Sequence, residues 1–422
     1  MTRTSLKKSV FGAGFFFLSL MQISCATYQG KVAQSRELIA QGQFEKASEY
    51  LKPLAEEKNG DQLVYLLDYA VALQLEGKIK ESNAAFQSAD RLADMQDYLS
   101  LGRQAGSLVL NQEMVQYKGD SFEKIYINAA SALNYLQIGQ LDEALVETRR
   151  MNEKYNLINT EDRKTFEKNV FGKYLSAIIW EANQNWDDAY IAYDEAYKLD
   201  PSIPTLPEDL IRLSKKAQRS DANQKWKKAF PQVTDRKQWY DKNYGELVVI
   251  FEQGWGPRKT QTYNGLAMNG NNILPTLTPV YSQTQRASVE VAGVGQFPSV
   301  PVYNVQTAAI ETLEHDYAWM AAKRIGAFAA KAVLADQVRQ KNEALGLITA
   351  IALHASERAD LRQWSTLPQT VQVVRVPLKV GTYNLHIQGQ NSAGAPTNES
   401  KDFTNVAIKS QRLTILRWRS LQ

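Results

Sequence analysis

The sequence predicts an α+β protein. An N-terminal array of helical repeats covers residues 25–230, and a largely antiparallel β domain with one alanine-rich helix covers residues 231–422, behind a leader at residues 1–24. Three observations predict this. A turn, apolar and small-residue pattern recurs at fixed offsets through the first half. The hydrophobic period changes from 3.6 to 2 near Tyr244. The chain opens on Arg3, Lys7 and Lys8, an apolar run from Val10 to Ile23, and its single cysteine, Cys25.

The opening reads as a secretory signal, because its apolar run is shorter than the ~20 residues a membrane-spanning helix needs and a basic flank precedes it. A lone cysteine forbids an internal disulfide. In MQISC, Cys25 stands where a bacterial lipoprotein receives its diacylglycerol, which predicts lipidation there. The alternative is cleavage after Ala26 and a soluble periplasmic protein. Several acyl chains would anchor the protein stably where one would not. Ala26 rather than Asp follows the cysteine, which resembles lipoproteins sorted to the outer membrane. The formal charge of +4 nearly vanishes once Arg3, Lys7 and Lys8 leave with the leader. The net charge therefore does not point to nucleic acid, and export argues against it.

The clearest copy of the repeating unit is QNWDDAYIAYDEAYKLDP, Gln184 to Pro201. A turn residue is followed at +2 by Trp186, at +5 by Ala189, and at +9 and +12 by Tyr193 and Ala196. The same offsets fit Gly42, Phe44, Ala47, Leu51 and Leu54; Gly77, Ile79, Ser82, Phe86 and Ala89; and Gly139, Leu141, Ala144, Thr148 and Met151. Glycine, or a residue that tolerates a left-handed conformation, lets one helix end and the next return antiparallel. A small residue at +5 lets the two backbones approach, and +5, +9 and +12 form one apolar face that only a neighbouring pair can bury. The pattern resembles the tetratricopeptide repeat, whose period of about 34 residues is met between Gly42 and Gly77. The next two steps are longer, which predicts a longer or degenerate pair near Asp90 to Phe122, most irregular across Leu99 to Tyr117, and a lengthened loop around Asn156 to Arg163. Pro53 sits inside the second helix of the first unit and should kink it. Such arrays hold peptides or partner helices on their concave face, so Tyr135, Trp180, Trp186 and Tyr193 are the candidate partner-binding residues.

Glu246 to Glu252, ELVVIFE, is the first strand, dense in β-branched residues and closed by Gly254, Gly256 and Pro257. Short strand-like runs follow at Thr276 to Tyr281 and Ala287 to Val291, with NGLAMNGNN, Asn264 to Asn272, as a loop. Thr307 to Ala344 is helical. Its small residues Ala318, Ala322, Gly326 and Ala330 predict a helix packed tightly on the sheet, and Leu345 to Ala355 is too short to span a membrane. Thr370 to Val376, Tyr383 to Gln388, Lys401 to Lys409 and Arg412 to Arg417 are strands expected to join Glu246 to Glu252 in one sheet.

Catalytic chemistry is hard to place. His315, His354 and His386 are far apart in sequence, and no motif for a hydrolase, nucleotide-binding loop or metal site is present. Gly293 and Gly295 lack the rest of a dinucleotide fingerprint, and Asp187 and Asp188 fall on a repeat turn. No catalytic residue, metal or cofactor is therefore assigned. A wall-modifying enzyme would need two carboxylates meeting in a cleft.

The remaining constellation is Asp360, Arg362, Trp364, Leu367 and Pro368 in ADLRQWSTLPQ, an anchored loop or a core plug leading into a strand. Together with ELVVIFEQGWGPRK, Glu246 to Lys259, and the terminal strand Leu416 to Arg419, this segment resembles a family of proteobacterial lipoproteins. There, tetratricopeptide-like helices precede a β-rich part, often encoded beside lipoprotein activators of penicillin-binding proteins. The resemblance implies a cell-envelope role and supplies no activity. The sequence thus reads as an outer-membrane lipoprotein facing the periplasm, a scaffold for envelope proteins. The alternative is a regulator of peptidoglycan synthesis or envelope assembly that contacts a synthase.

Overall fold

A computed structural model describes residues 28–103, 116–160, 169–263, 273–343, 345–347 and 359–422. Cys25, His354, the Asn264 to Asn272 segment and most of Leu345 to Ala355 lie outside the described residues.

Ten helices form five antiparallel pairs: α1 (Tyr28–Ala40) with α2 (Phe44–Glu56), α3 (Gln62–Glu76) with α4 (Ile79–Arg103), α5 (Ser121–Gln137) with α6 (Leu141–Thr160), α7 (Val170–Ala182) with α8 (Trp186–Leu199), and α9 (Leu206–Lys216) with α10 (Ser220–Ala229). The turns within the pairs share one device, a residue at positive φ: Gly42 (72°), Gly77 (92°), Gly139 (73°), Gln184 (64°) and Gln218 (57°). The fifth pair was not foreseen, because Gln218 is no usual turn residue and the following helix, SDANQKWKKA, is mostly polar. The predicted loop after Asn156 begins later, since α6 continues to Thr160. Pro53 lies inside α2, one turn before its end, where its carbonyl accepts from the Glu57 N–H at 3.2 Å.

The second half contains two four-stranded sheets rather than one. The first has strand order β10-β1-β7-β6, built from β1 (Tyr244–Gln253), β6 (Val300–Asn304), β7 (Thr370–Lys379) and β10 (Leu413–Arg419). The second has order β5-β4-β8-β9, built from β4 (Arg286–Val291), β5 (Gly295–Pro298), β8 (Gly381–Gln390) and β9 (Pro396–Ile408). A hairpin of β2 (Arg258–Tyr263) and β3 (Ile273–Thr278) stands apart from both. All the pairings are antiparallel except β1 with β10, which run parallel from Glu246↔Leu413 to Glu252↔Arg419.

Period-2 alternation explains the layering. Leu247, Val249 and Phe251 of β1 point to the second sheet and share a core with Val289, Leu385 and Ile387. Val248 and Ile250 point the other way and join the core of the helical array, with Val302, Val371 and Val373. The first sheet is therefore sandwiched between helices and a second sheet, which is why β1 is apolar on both faces. The sequence composition changes near residue 230, yet the largest core runs continuously from α3 through β1 and β7.

Helix α11 (Val305–Lys341) follows β6, with the Asn304 side chain accepting from the Thr307 N–H at 2.9 Å as an N-cap. It does not lie along the sheet. Val305, Ala308 and Thr312 are buried, but no described side chain of this helix beyond Thr312 is, and Ala318 and Ala322 are exposed. The helices of the array already cover that face of the first sheet.

Candidate interaction site

The inner faces of α3, α5, α7 and α9, the first helices of their pairs, carry polar side chains that meet the β half. Asp68 of α3 accepts from the Ser365 hydroxyl (2.8 Å) and from both the N–H (3.1 Å) and hydroxyl (2.8 Å) of Thr366. Glu123 of α5 accepts from the Trp364 N–H at 3.0 Å, and Tyr126 donates to Glu252 of β1 at 2.6 Å. Arg417 of β10 bridges Glu252 and Gln74. The surface on which a repeat array would hold a partner is filled here by the chain's own strands.

Arg375 of β7 is the centre of the densest contact. It donates to Glu181 of α7 (2.9 Å), to both carboxylate oxygens of Glu246 (2.9 and 3.0 Å) and to the Tyr193 hydroxyl (2.6 Å). Arg212 of α9 joins Glu181, Asp209 and Glu246 from the opposite side. Burial alone would push the Glu246 carboxyl up, but the Arg212 and Arg375 guanidiniums outweigh it and hold it at about 2. Burial raises Asp209 to about 7 against the pull of Arg375. Three carboxylates thus face two guanidiniums, and burial opposes the ionisation of Asp209.

The segment containing Asp360, Arg362, Trp364, Leu367 and Pro368 is a wedge between the two halves. Arg362 pairs with Asp360 at 2.8 Å and reaches the Gly60 carbonyl (3.1 Å) and Asp61 (3.2 Å) at the start of α3. Trp364 is buried against Phe86 and Tyr126, with ring centroids 5.9 and 5.7 Å apart. Leu367 is buried in the same core, and its carbonyl accepts from the Gly256 N–H at 2.8 Å. Pro368, also buried, precedes Gln369, whose N–H donates to the Gln253 carbonyl at 2.8 Å as the chain enters β7. From the other side, Tyr28 and Gln29 of α1 donate to the carbonyls of Gln363 (2.6 Å) and Leu361 (2.8 Å).

The predicted partner-binding aromatics differ in exposure. Tyr193 must be withdrawn, since it is 0% exposed and committed to Glu181 and Arg375. Tyr135, Trp180 and Trp186 are half-buried. Tyr135 accepts from Gln87 at 2.9 Å, and Trp186 lies beneath Lys216, whose Nζ is 4.5 Å from the ring centroid.

Two clefts open along the seam between helices and strands. One, of about 600 Å³, has Phe122, Leu313 and Trp364 among its walls, with Asp120, Glu123 and Asp316 as its carboxylates. Burial and the neighbouring Asp120 push Glu123 up to about 7. Its oxygens accept from Tyr117, from the Asp120 N–H in a capping box and from Trp364, so it serves the joint rather than the opening. The other cleft, of about 330 Å³, lies beside Trp186. Among the described residues, no group of three His, Cys, Asp or Glu side chains could hold a metal, and no helix is long and apolar enough to cross a membrane.

Neither a protein-family profile nor a curated protein matches the sequence. Among solved structures, the chain is similar to MamA from Desulfovibrio magneticus RS-1 (15% identity over 48% of this chain and 91% of that one, TM-score 0.31). It is also similar to BtubC from P. vanneervenii (10% identity over 56% and 95%, TM-score 0.33). Similarity at this level carries no functional conclusion. The fold class rests on the helix pairs and sheets themselves: tetratricopeptide-like helical repeats followed by a largely antiparallel β part.

Proposed function

We propose that the protein is a non-enzymatic interaction scaffold of the cell envelope, anchored through lipid on Cys25 in the outer membrane and facing the periplasm. The supporting observation is the use made of the repeat array. Its inner face is occupied by the chain's own sheet, so the two seam clefts and the half-exposed Tyr135, Trp180 and Trp186 are what it offers to protein partners. In an alternative form of this reading the partner is an envelope synthase and the protein regulates peptidoglycan synthesis or envelope assembly through that contact. A wall-modifying reaction is disfavoured because Glu123, the carboxylate in the larger cleft raised to about 7, is held by three donors within the protein.

The test is crosslinking in living cells followed by purification of the full chain beside Cys25→Ala. One envelope protein enriched with the first and lost with the second supports anchoring and scaffolding together. Enrichment that survives the substitution removes the anchor from the proposal, and no enrichment with either removes the scaffold.

A further inference from the structure

The start of the repeat array is fastened to the β half. The Tyr28 hydroxyl donates to the Gln363 carbonyl (2.6 Å), and the Gln29 amide donates to the carbonyls of Leu361 (2.8 Å) and Lys259 (3.4 Å). The Tyr28 ring also packs on Tyr65, with centroids 5.8 Å apart. Only Ala26 and Thr27 separate Tyr28 from Cys25. Three fully extended residues span about 10 Å. A cysteine thioether-linked to diacylglycerol stands at the edge of the hydrocarbon. The headgroup layer above it is about 5–8 Å thick, half the difference between a bilayer of about 40–45 Å and a core of about 30 Å. The tether is therefore nearly used up in crossing the headgroups.

Lys259 and Gln363, which receive the N-terminal residues, also line the larger seam cleft. The apolar walls Leu277, Ala309, Leu313 and Met320 of that cleft are half-buried, so apolar surface is left open on it. On the β2–β3 hairpin, the exposed Thr260 and Thr278 follow Lys259 and Leu277 directly in the chain.

We infer that the side of the molecule bearing Tyr28, the β2–β3 hairpin and the larger cleft is seated on the phospholipid headgroup layer of the membrane that holds Cys25. This deepens the scaffold reading and rests on its lipid anchor. Two features select the face: the short tether reaches no other part of the surface so closely, and the same residues that hold the tether border open apolar walls. Charge does not select it. Asp120, Glu123 and Asp316 stand in the cleft with Lys259 as its cation, so the seat depends on the tether and the apolar walls rather than on anionic lipid. The larger cleft is thereby turned to lipid, and the smaller cleft beside Trp186 stays for protein partners.

The test uses the full lipidated chain, purified from cells and reconstituted in vesicles of phosphatidylethanolamine and phosphatidylglycerol. Because the thioether blocks Cys25, Thr260→Cys, Thr278→Cys and Lys228→Cys each supply one free thiol for a fluorescent label. Lys228 lies on α10, in the last pair of the array. Lipids with a spin label on the headgroup should quench the Thr260 and Thr278 reporters severalfold more than the Lys228 reporter, with little change at high salt. Inserting glycine and serine residues between Ala26 and Thr27, about 20 of them for a reach of roughly 25 Å, should lower quenching at Thr260 to near that at Lys228. The three labelled positions are exposed, and circular dichroism of each labelled protein checks the fold. Equal quenching of the three reporters in floating vesicles overturns the seat while leaving the anchor intact. Quenching that survives the longer tether overturns the role given to the tether. A chain that carries no fatty acid refutes the anchor itself and the seat with it.

Discussion

Replacing Arg375 by methionine tests whether its guanidinium holds the two halves together. The Arg375 side chain is 7% exposed, and its partners Glu181, Asp209 and Glu246 are 1%, 3% and 12% exposed. Methionine would fill much of the volume but leave three largely buried carboxylates facing Arg212 alone. Removing one member of a buried charge pair costs about 3–5 kcal/mol, chiefly because the remaining charge is stranded, whereas an exposed pair contributes about 1 kcal/mol or less. With a urea dependence of roughly 3 kcal/mol per molar, the unfolding midpoint should fall by roughly 1–1.7 M. Adding Glu246→Gln should recover a substantial part, because it removes a stranded charge and keeps the shape. Urea unfolding followed by far-ultraviolet circular dichroism reads all three proteins. The reasoning fails if Arg375→Met lies within about 1 kcal/mol of the parent, or if the double variant is no more stable than the single one.

Two further predictions concern the same joint. Trp364→Ala should cost about 3–5 kcal/mol, the usual range for an aromatic truncated in a core. It should also make the helical half more sensitive to limited proteolysis, since Phe86 and Tyr126 lose their cover; unchanged cleavage of that half would contradict the role given to the wedge. The pH dependence has a definite sign. Burial comes first in raising Asp68 to about 6, Glu123 to about 7 and Asp209 to about 7, so the folded chain binds protons there that the unfolded chain does not. Their contribution is complete below the ordinary carboxylate range and is lost as the pH rises through 6 to 7. Glu246, held at about 2, acts oppositely: its contribution is present above the ordinary range and lost only as the pH falls toward 2. Unfolding midpoints should therefore be higher near pH 5 than near pH 8, and Asp209→Asn should flatten that difference. A midpoint higher at pH 8 would refute this balance.

The repeat turns were legible because glycine at a left-handed turn and a small residue at +5 are direct requirements of a close helix pair. Gly42, Gly77 and Gly139 announce three of them. Gln218 adopts the same conformation without any compositional sign, so the fifth pair was missed. The strands were legible from their alternation, but their division into two sheets was not, because ELVVIFE reads the same whether one face or both are covered. A signal did exist. Glu246, Arg375 and Arg417 are charged residues inside otherwise apolar strands, and each finds its counterpart on an inner helix. Tyr193 shows the converse difficulty: a repeat position that takes a large residue does not say whether a partner or the protein's own arginine will meet it. In the DLRQWSTLP segment, pairing of Asp360 with Arg362 was accessible from spacing, while the contact of Arg362 with Asp61 depended on the fold.

The wedge also bears on how the chain reaches its structure. Tyr28, Gly60, Asp61 and Asp68 find their partners between Leu361 and Thr366, more than half the chain away. Closing so wide a loop costs conformational entropy before any of these contacts repays it, and folds dominated by such contacts form slowly. The helix pairs, whose contacts are local, can assemble early. Until the wedge arrives, however, Asp68, Glu123 and Glu181 stand on an open face without their β partners. In the finished fold those carboxylates are met by Ser365, Thr366, Trp364 and Arg375, so the inner face of the array is complete only with residues from the far end of the chain.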